Sequence, residues 1–160
     1  MDLDFAFRGA IKNGFIKGDC HEILELRKKL EQLEVNGECK LNGGLPTKQN
    51  SPCSPAEAYE KLSSDADSKP HIQRLHDQLL EKNIWLWCNG AIEAHLGAPK
   101  NEEDWITFKA EIEEKGIEET CKDPESINKV MEWIALLEYK KPLATDETIP
   151  IQAASAPTGN

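Results

Sequence analysis

Apolar residues recur at steps of three and four along most of the chain, a spacing typical of amphipathic helices. The clearest case starts after Asp19, a favourable N-cap residue, and stops at Asn36-Gly37. The pattern predicts further helices over 5–15, from Ser54-Pro55-Ala56-Glu57 to Leu62, over 70–81, from about 101 to Gly116, and from Asp123-Pro124 to about 140. The sequence therefore predicts a helix-rich domain.

The last two of these helices each carry an apolar stripe that we expect to face the core. The stripe of the first consists of Trp105, Ile106, Phe108 and Ile112. The stripe of the second consists of Ile127, Val130, Met131, Ile134 and Leu137, and Trp133 lies beside it. Both helices are thus predicted to pack on the remainder of the domain.

One stretch alternates in the manner of a strand. Between Ile84 and Cys88 the two tryptophans fall on one face and the smaller apolar residues on the other, so both faces need cover and we predict a central strand. Asn89-Gly90 then predicts a turn, and a helical turn carrying Glu93 follows it. An acid is thereby placed just beyond the end of a strand, where open α/β sheets hold their functional sites.

Two further acids lie in the first line of the sequence, Met1-Asp2-Leu3-Asp4-Phe5. In an extended backbone the side chains of residues i and i+2 point to one face, roughly 6 to 7 Å apart. Asp2 and Asp4 can then bind one divalent cation, Mg²⁺ or Mn²⁺, because these ions prefer oxygen ligands. The same residues are also consistent with solvated surface charge, since Asp-x-Asp is a common chance pattern.

Together, Asp-Leu-Asp-Phe and the strand followed by Asn-Gly-Ala-Ile-Glu resemble the TOPRIM nuclease domain of the overcoming-lysogenisation-defect (OLD) family. Members of that family are ATPase–nuclease fusions of antiphage and DNA-processing systems. The resemblance runs from Met1 to about Lys141. It implies a helix-rich, Rossmann-like α/β fold with about one or two short parallel strands and about five to six helices.

The same resemblance implies the site residues. Asp2, Asp4 and Glu93 match the acids that bind the Mg²⁺ or Mn²⁺ used in phosphodiester cleavage. Lys140 or Lys141 matches a carboxyl-terminal lysine that stabilises charge in the transition state. Lysines at the end of a helix are also explained by the helix dipole. The implied partners are nucleic acid, most simply DNA, and an ATPase encoded upstream or a second copy of the chain.

In the OLD family the TOPRIM domain opens with a strand and a glutamate well before Asp-x-Asp. We therefore expect 1–141 to be a partial TOPRIM-like domain without that first strand. The segment 142–160 is rich in Ala, Thr, Pro and Ser, and we expect it to be a disordered tail. We expect little or no cleavage by the isolated chain. No Gly-x-x-x-x-Gly-Lys-Ser/Thr loop, which would cradle nucleotide phosphates, occurs in the sequence.

The amino-acid composition argues against several functional classes. The chain has 19 Lys and Arg against 29 Asp and Glu, and its net charge of −10 argues against a protein that coats nucleic acid. The basic segment formed by Arg8, Lys12 and Lys17 can contact phosphate or simply lie on a solvated helix. Without a signal peptide or a membrane-length apolar run, we expect a cytoplasmic protein with no membrane partner. Five cysteines without a Cys-x-x-Cys pair favour reduced thiols.

Two other functions fit parts of the pattern. Haloacid-dehalogenase-like phosphatases also place Asp-x-Asp at a strand end, but they usually continue it with Thr or Val where this chain has Ala6. A non-catalytic helical interaction module, docking on an ATPase–nuclease partner or on a second copy, needs no metal. A metal titration with Asp2 and Asp4 replaced separates this module from a nuclease.

Overall fold

The structure is a computed structural model that describes residues 1–97 and 102–139. These residues form eight α-helices and one β-hairpin. The helices are α1 (Leu3–Phe5), α2 (His21–Val35), α3 (Pro55–Ser64), α4 (Lys69–Leu80), α5 (Ile92–Leu96), α6 (Glu102–Lys115), α7 (Ile117–Thr120) and α8 (Pro124–Tyr139). A π-helical turn, Ala6–Ala10, continues α1. The hairpin pairs β1 (Leu41–Asn42) with β2 (Leu45–Pro46).

The helix-rich architecture agrees with the prediction, but the strands differ from it. The hairpin is antiparallel and lies between the second and third predicted helices, and the parallel strands predicted for a TOPRIM-like sheet are not among the elements of 1–97 and 102–139. The predicted strand Ile84–Cys88 is wrong, because residues 84–87 have no regular secondary structure and Cys88 begins a turn.

Residues 84–88 are nevertheless held against the amino terminus. The amino group of Met1 donates to the carbonyl of Trp85 over 2.9 Å, and the N–H of Trp87 donates to the carbonyl of Met1 over 2.7 Å. Two bonds arranged in this way are also found between parallel strands, but a strand needs a longer ladder of such bonds. Within the described structure, the pairing does not extend past Met1 because the chain turns into α1.

Two apolar clusters meet at this segment. The larger is formed by the amino-terminal helices through α4, and its fully buried side chains include Leu3, Ile23, Leu26, Leu30 and Leu75. The smaller lies among α5, α6, α7 and α8, around Trp87, Phe108, Cys121 and Ile127. Leu86 belongs to the larger cluster, and Ile84 and Cys88 pack against it. Trp87 belongs to the smaller cluster, and Trp85 packs against that one. The predicted division of this segment into two covered faces is therefore correct.

The predicted inner faces of α6 and α8 are partly wrong. Phe108 is buried, but Ile106 is 72% exposed. On α8, Ile127 is buried, whereas Met131 is 57% exposed and Ile134 is 43% exposed. The inner face of α8 instead includes Trp133, whose ring centroid lies 5.6 Å from that of Trp85. A helix turns by about 100° per residue, so seating this large ring inward rotates the neighbouring aliphatic residues outward.

The predicted start of α3 is confirmed in detail. The hydroxyl of Ser54 accepts the N–H of Glu57 over 3.2 Å, and the carboxylate of Glu57 accepts the N–H of Ser54 over 2.7 Å. We expect Ser54→Ala to lower the free energy of unfolding by about 1 kcal/mol, because it leaves a helix N–H without its capping acceptor. Urea unfolding followed by circular dichroism measures this change. Ser64→Ala at the other end of α3 is the matched control, and an equal loss in both variants would contradict the capping role.

Among the described residues, no helix is both long enough and apolar enough to cross a membrane.

Candidate functional site

The amino-terminal acids lie at the start of α1 and not on a strand. Asp2 is the N-cap, and its Oδ1 accepts the N–H of Phe5 over 3.0 Å. The carbonyl of Asp2 accepts the N–H of Ala6 over 3.2 Å, which closes the first helical turn. Side chains at i and i+2 share a face of a strand but not of a helix, so the predicted same-face geometry of Asp2 and Asp4 is corrected. Capping of the helix is what draws this segment out of an extended conformation.

Asp4 is held by two donors. Its Oδ1 accepts the Nε–H of Arg8 over 2.9 Å and the hydroxyl of Tyr59 over 3.2 Å. Tyr59 is only 4% exposed, and burial, followed by the charge of Asp4, raises the pKa of its phenol far above the usual range. The phenol therefore stays protonated and acts as a donor at all physiological pH values. Through this bond α3 fixes the position of the Asp4 carboxylate.

Glu93 follows a turn that packs against α3. It is exposed in the first turn of α5, which packs on α8. The preceding turn is tight: Gly90 has φ +115°, and a Cβ at this position would lie 3.1 Å from Cγ of Glu60 on α3 and 3.4 Å from Cβ of Ala94. The chain segments that carry Asp4 and Glu93 thus both touch α3, at the adjacent residues Tyr59 and Glu60.

These acids do not form a closed metal site in the described structure. Within residues 1–97 and 102–139, no group of three His, Cys, Asp or Glu side chains is arranged to hold a metal ion. The chemistry of the donors does suit a hard cation, since all three are carboxylates. In the described part of the chain, Oδ2 of Asp2 and Oδ2 of Asp4 accept no hydrogen bond. Lys141, the predicted catalytic lysine, lies outside the described residues.

A second polar centre joins α5 to α8, and its residues are not among the predicted site residues. His95 is 1% exposed, and its Nδ1–H donates to Oδ2 of Asp123 over 2.7 Å. Its Nε2 accepts the N–H of Asn89 over 3.3 Å, which places the ring proton on Nδ1. The side-chain amide of Asn89 also donates to Oδ2 of Asp123, over 3.1 Å. The sequence predicts Asp123 only as a helix-opening residue, and nothing in the spacing of His95 and Asp123 indicates that they meet.

Burial governs the protonation of this centre. It lowers the pKa of His95, and the hydrogen bond to Asp123 offsets that effect only in part. Burial alone would raise the pKa of Asp123, but hydrogen bonds from Ser126 and from His95 bring it below the usual range. The pair therefore consists of a neutral imidazole and a carboxylate near neutral pH. Because both ring nitrogens are already bonded, His95 holds Asn89 and α8 together instead of presenting a free base.

Comparison with known proteins gives a distant similarity to the OLD family. The match is with the Old nuclease of Escherichia phage P2, with which the chain shares 24% identity over 101 residues. Those residues make up 62% of this chain but only 17% of the phage protein. No protein-family model matches the chain, and no solved structure matches it.

Proposed function

We propose that the chain is part of a divalent-metal-dependent nuclease of the OLD type, which hydrolyses phosphodiester bonds in DNA. The observation that carries the proposal is the similarity to the Old nuclease of phage P2. The carboxylates at positions 2, 4 and 93 support it, because their oxygen donors suit Mg²⁺ or Mn²⁺. An ATPase or a second copy of the chain is the proposed protein partner.

In this proposal Asp2, Asp4 and Glu93 hold the metal. A divalent cation held by these carboxylates would supply Lewis-acid chemistry for phosphodiester hydrolysis. The residues around Asp4 favour such a role, because Arg8 and Tyr59 both bond to Oδ1, which orients the carboxylate and leaves Oδ2 directed elsewhere. Lys141 is proposed to balance negative charge on the phosphate during the reaction.

The experiment is a titration of Mn²⁺ in which the free ion is followed by electron paramagnetic resonance. We expect replacement of both Asp2 and Asp4 by alanine to weaken Mn²⁺ binding at least about tenfold, as removal of charged oxygen ligands should. Asp19→Ala is the matched control, because Asp19 is an exposed aspartate in the same part of the chain. It should leave the affinity unchanged.

The same titration separates the alternative, a non-catalytic interaction module. That alternative is favoured by exposed apolar side chains on the described parts of α6 and α8, such as Ile106, Met131 and Leu136. If the double alanine variant binds Mn²⁺ as well as the parent chain does, the metal site at Asp2 and Asp4 is refuted and the module becomes the better explanation. Plasmid nicking in Mn²⁺ that survives Asp4→Ala would contradict the proposed catalytic role in the same way.

A further inference from the structure

A cleft separates α3 and α4 from the start of α8. It consists of two adjoining cavities, one of about 270 Å³ and one of about 420 Å³, which share Ser63, Lys69 and Asn89 as wall residues. The smaller cavity extends along residues 85–89, and the larger extends to α5. We refer to the two cavities together as the interhelical cleft.

The smaller cavity is aromatic. Its walls include the indoles of Trp85 and Trp87 and the imidazoles of His76 and His95. His76 is engaged, since its Nδ1 lies 2.8 Å from the carbonyl of Leu86, and both nitrogens of His95 are already bonded. The indole Nε1–H of Trp85, by contrast, is buried and has no acceptor among the described residues. This nitrogen has almost no accessible surface, so a ligand in the cavity can contact only other atoms of the indole.

The walls of the cleft carry a small excess of basic over acidic side chains, although the molecule as a whole is acidic. Its walls contain three lysines, Lys69, Lys122 and Lys129, against two carboxylates, Glu60 and Asp123. Over the whole chain the balance is reversed, with 19 basic and 29 acidic residues. Lys129 is paired with Glu125, but Lys69 forms no ion pair with any residue that the structure describes. Lys69 lines both cavities and is therefore the cation best placed for an anionic ligand at their junction.

We propose that the interhelical cleft binds single-stranded nucleic acid, one nucleotide at a time in its aromatic cavity. The base lies against Trp85 and Trp87, and the phosphate lies at Lys69. Aromatic side chains beside a basic groove are the usual means of binding single strands without reading their sequence. The small cavity lies just below the usual size range of small-molecule sites, which suits a single base better than a larger ligand.

The position of the cleft connects it to the proposed nuclease site, and this inference rests on that proposed function. The larger cavity is lined by Ala94, the neighbour of Glu93, and by Glu60, the neighbour of Tyr59. Tyr59 in turn bonds to Asp4. A strand that leaves the aromatic cavity past Lys69 therefore runs alongside the segments that carry the proposed metal ligands.

Fluorescence anisotropy of a labelled short oligothymidylate tests the proposal in buffer containing EDTA, so that no metal contributes. We expect the parent chain to bind with an affinity that falls as salt rises, and Lys69→Glu to weaken binding about tenfold and reduce the salt slope by about one. Lys69→Ala should give a smaller loss in the same direction. Lys48→Glu, which changes an exposed lysine of the loop after β2, should bind as the parent does.

A second variant tests the aromatic end. Trp85→Leu removes the aromatic surface without changing any charge, and we expect it to weaken binding several-fold while the salt slope stays unchanged. Circular dichroism verifies that each variant is folded. Equal affinities for the parent, Lys69→Glu and Lys48→Glu chains would overturn the cleft as the binding site.

Thymidine monophosphate is the competing probe. Weak competition by it, relative to the unlabelled oligonucleotide, supports a strand as the ligand, whereas equal competition would show that the cleft takes free nucleotides and overturn the strand. The nuclease proposal is tested by a different result. If Lys69→Glu weakens binding of the oligonucleotide but the alanine variants of Asp2 and Asp4 keep full Mn²⁺ affinity, the cleft is supported and the metal site is refuted.

Discussion

Leu26→Ala lowers the free energy of unfolding by about 3 kcal/mol, which is the expected result of deleting a large side chain from a closed core. Leu26 is fully buried in the larger cluster, on a helix that packs against both α3 and α4. Neighbours held from two sides cannot move in to fill the space, so the cost includes a cavity as well as the lost burial.

Urea unfolding followed by circular dichroism measures the loss, and Leu24→Ala provides the control. Leu24 is two residues earlier on the same helix but is 44% exposed. Its replacement should cost less than about 1 kcal/mol, because much of its surface is already in water. Similar losses in the two variants would contradict the packing of α2 against α3 and α4.

His95→Ala should cost a similar amount, about 3 kcal/mol, for a different reason. The truncation opens a space beside Trp87, whose ring centroid lies 4.7 Å from that of His95. It also leaves the N–H of Asn89 without its acceptor and removes a donor from Asp123. His21→Ala is the control, because the side chain of His21 is 67% exposed, and it should change stability by less than about 0.5 kcal/mol. If His95→Ala is as stable as the control, the link from α5 to α8 is not structural.

The same residue predicts a pH dependence. In the folded chain the pKa of His95 lies below its ordinary value of 6.5, so the unfolded chain binds a proton more readily than the folded chain does. Stability therefore falls as pH drops below about 6.5. Asp123 acts in a separate window, because its lowered pKa contributes stability that is lost only below about its ordinary 3.8. Between about pH 7.5 and about pH 5.5 the amino group of Met1 contributes in the same direction, because burial lowers its pKa from the ordinary 8.0. His95→Gln separates the two contributions: it should reduce the slope, and an unchanged slope in that variant would argue against a buried neutral His95.

Local signals along the chain predict the helices well. The end of α2 at Asn36 and the capping box of α3 follow from residues a few positions apart. Such features depend on hydrogen bonds within one turn, so a single sequence contains all the information they need. The inner face of α8 is different, because the stripe containing Met131 and Ile134 and the alternative face containing Trp133 are both apolar. Trp133 packs against Trp85, a contact between residues far apart in sequence that no local pattern predicts.

In the candidate site, too, some features follow from the local sequence and others depend on tertiary packing. The residue types at positions 2, 4 and 93 predict a site for a hard divalent cation. The extended geometry proposed for Asp2 and Asp4 fails because a side-chain cap on Phe5 competes with strand pairing at this point. Tyr59, which orients Asp4, and Asp123, which binds His95, are both far away along the sequence from their partners, and no spacing rule predicts either pair.

The sequence by itself determined most of the helical segments, the end of α2, the start of α3, and that residues 84–88 present one aromatic and one aliphatic face. The tertiary structure alone decided that this segment remains irregular, which face of α8 turns inward, and that lysines from α4 and α8 meet across a cleft beside Trp85. The physical reason is the separation along the sequence over which each interaction acts. Capping and periodicity act within a turn of helix, whereas the partner of a buried ring, a carboxylate or a lysine is set by the packing of elements that are distant along the chain.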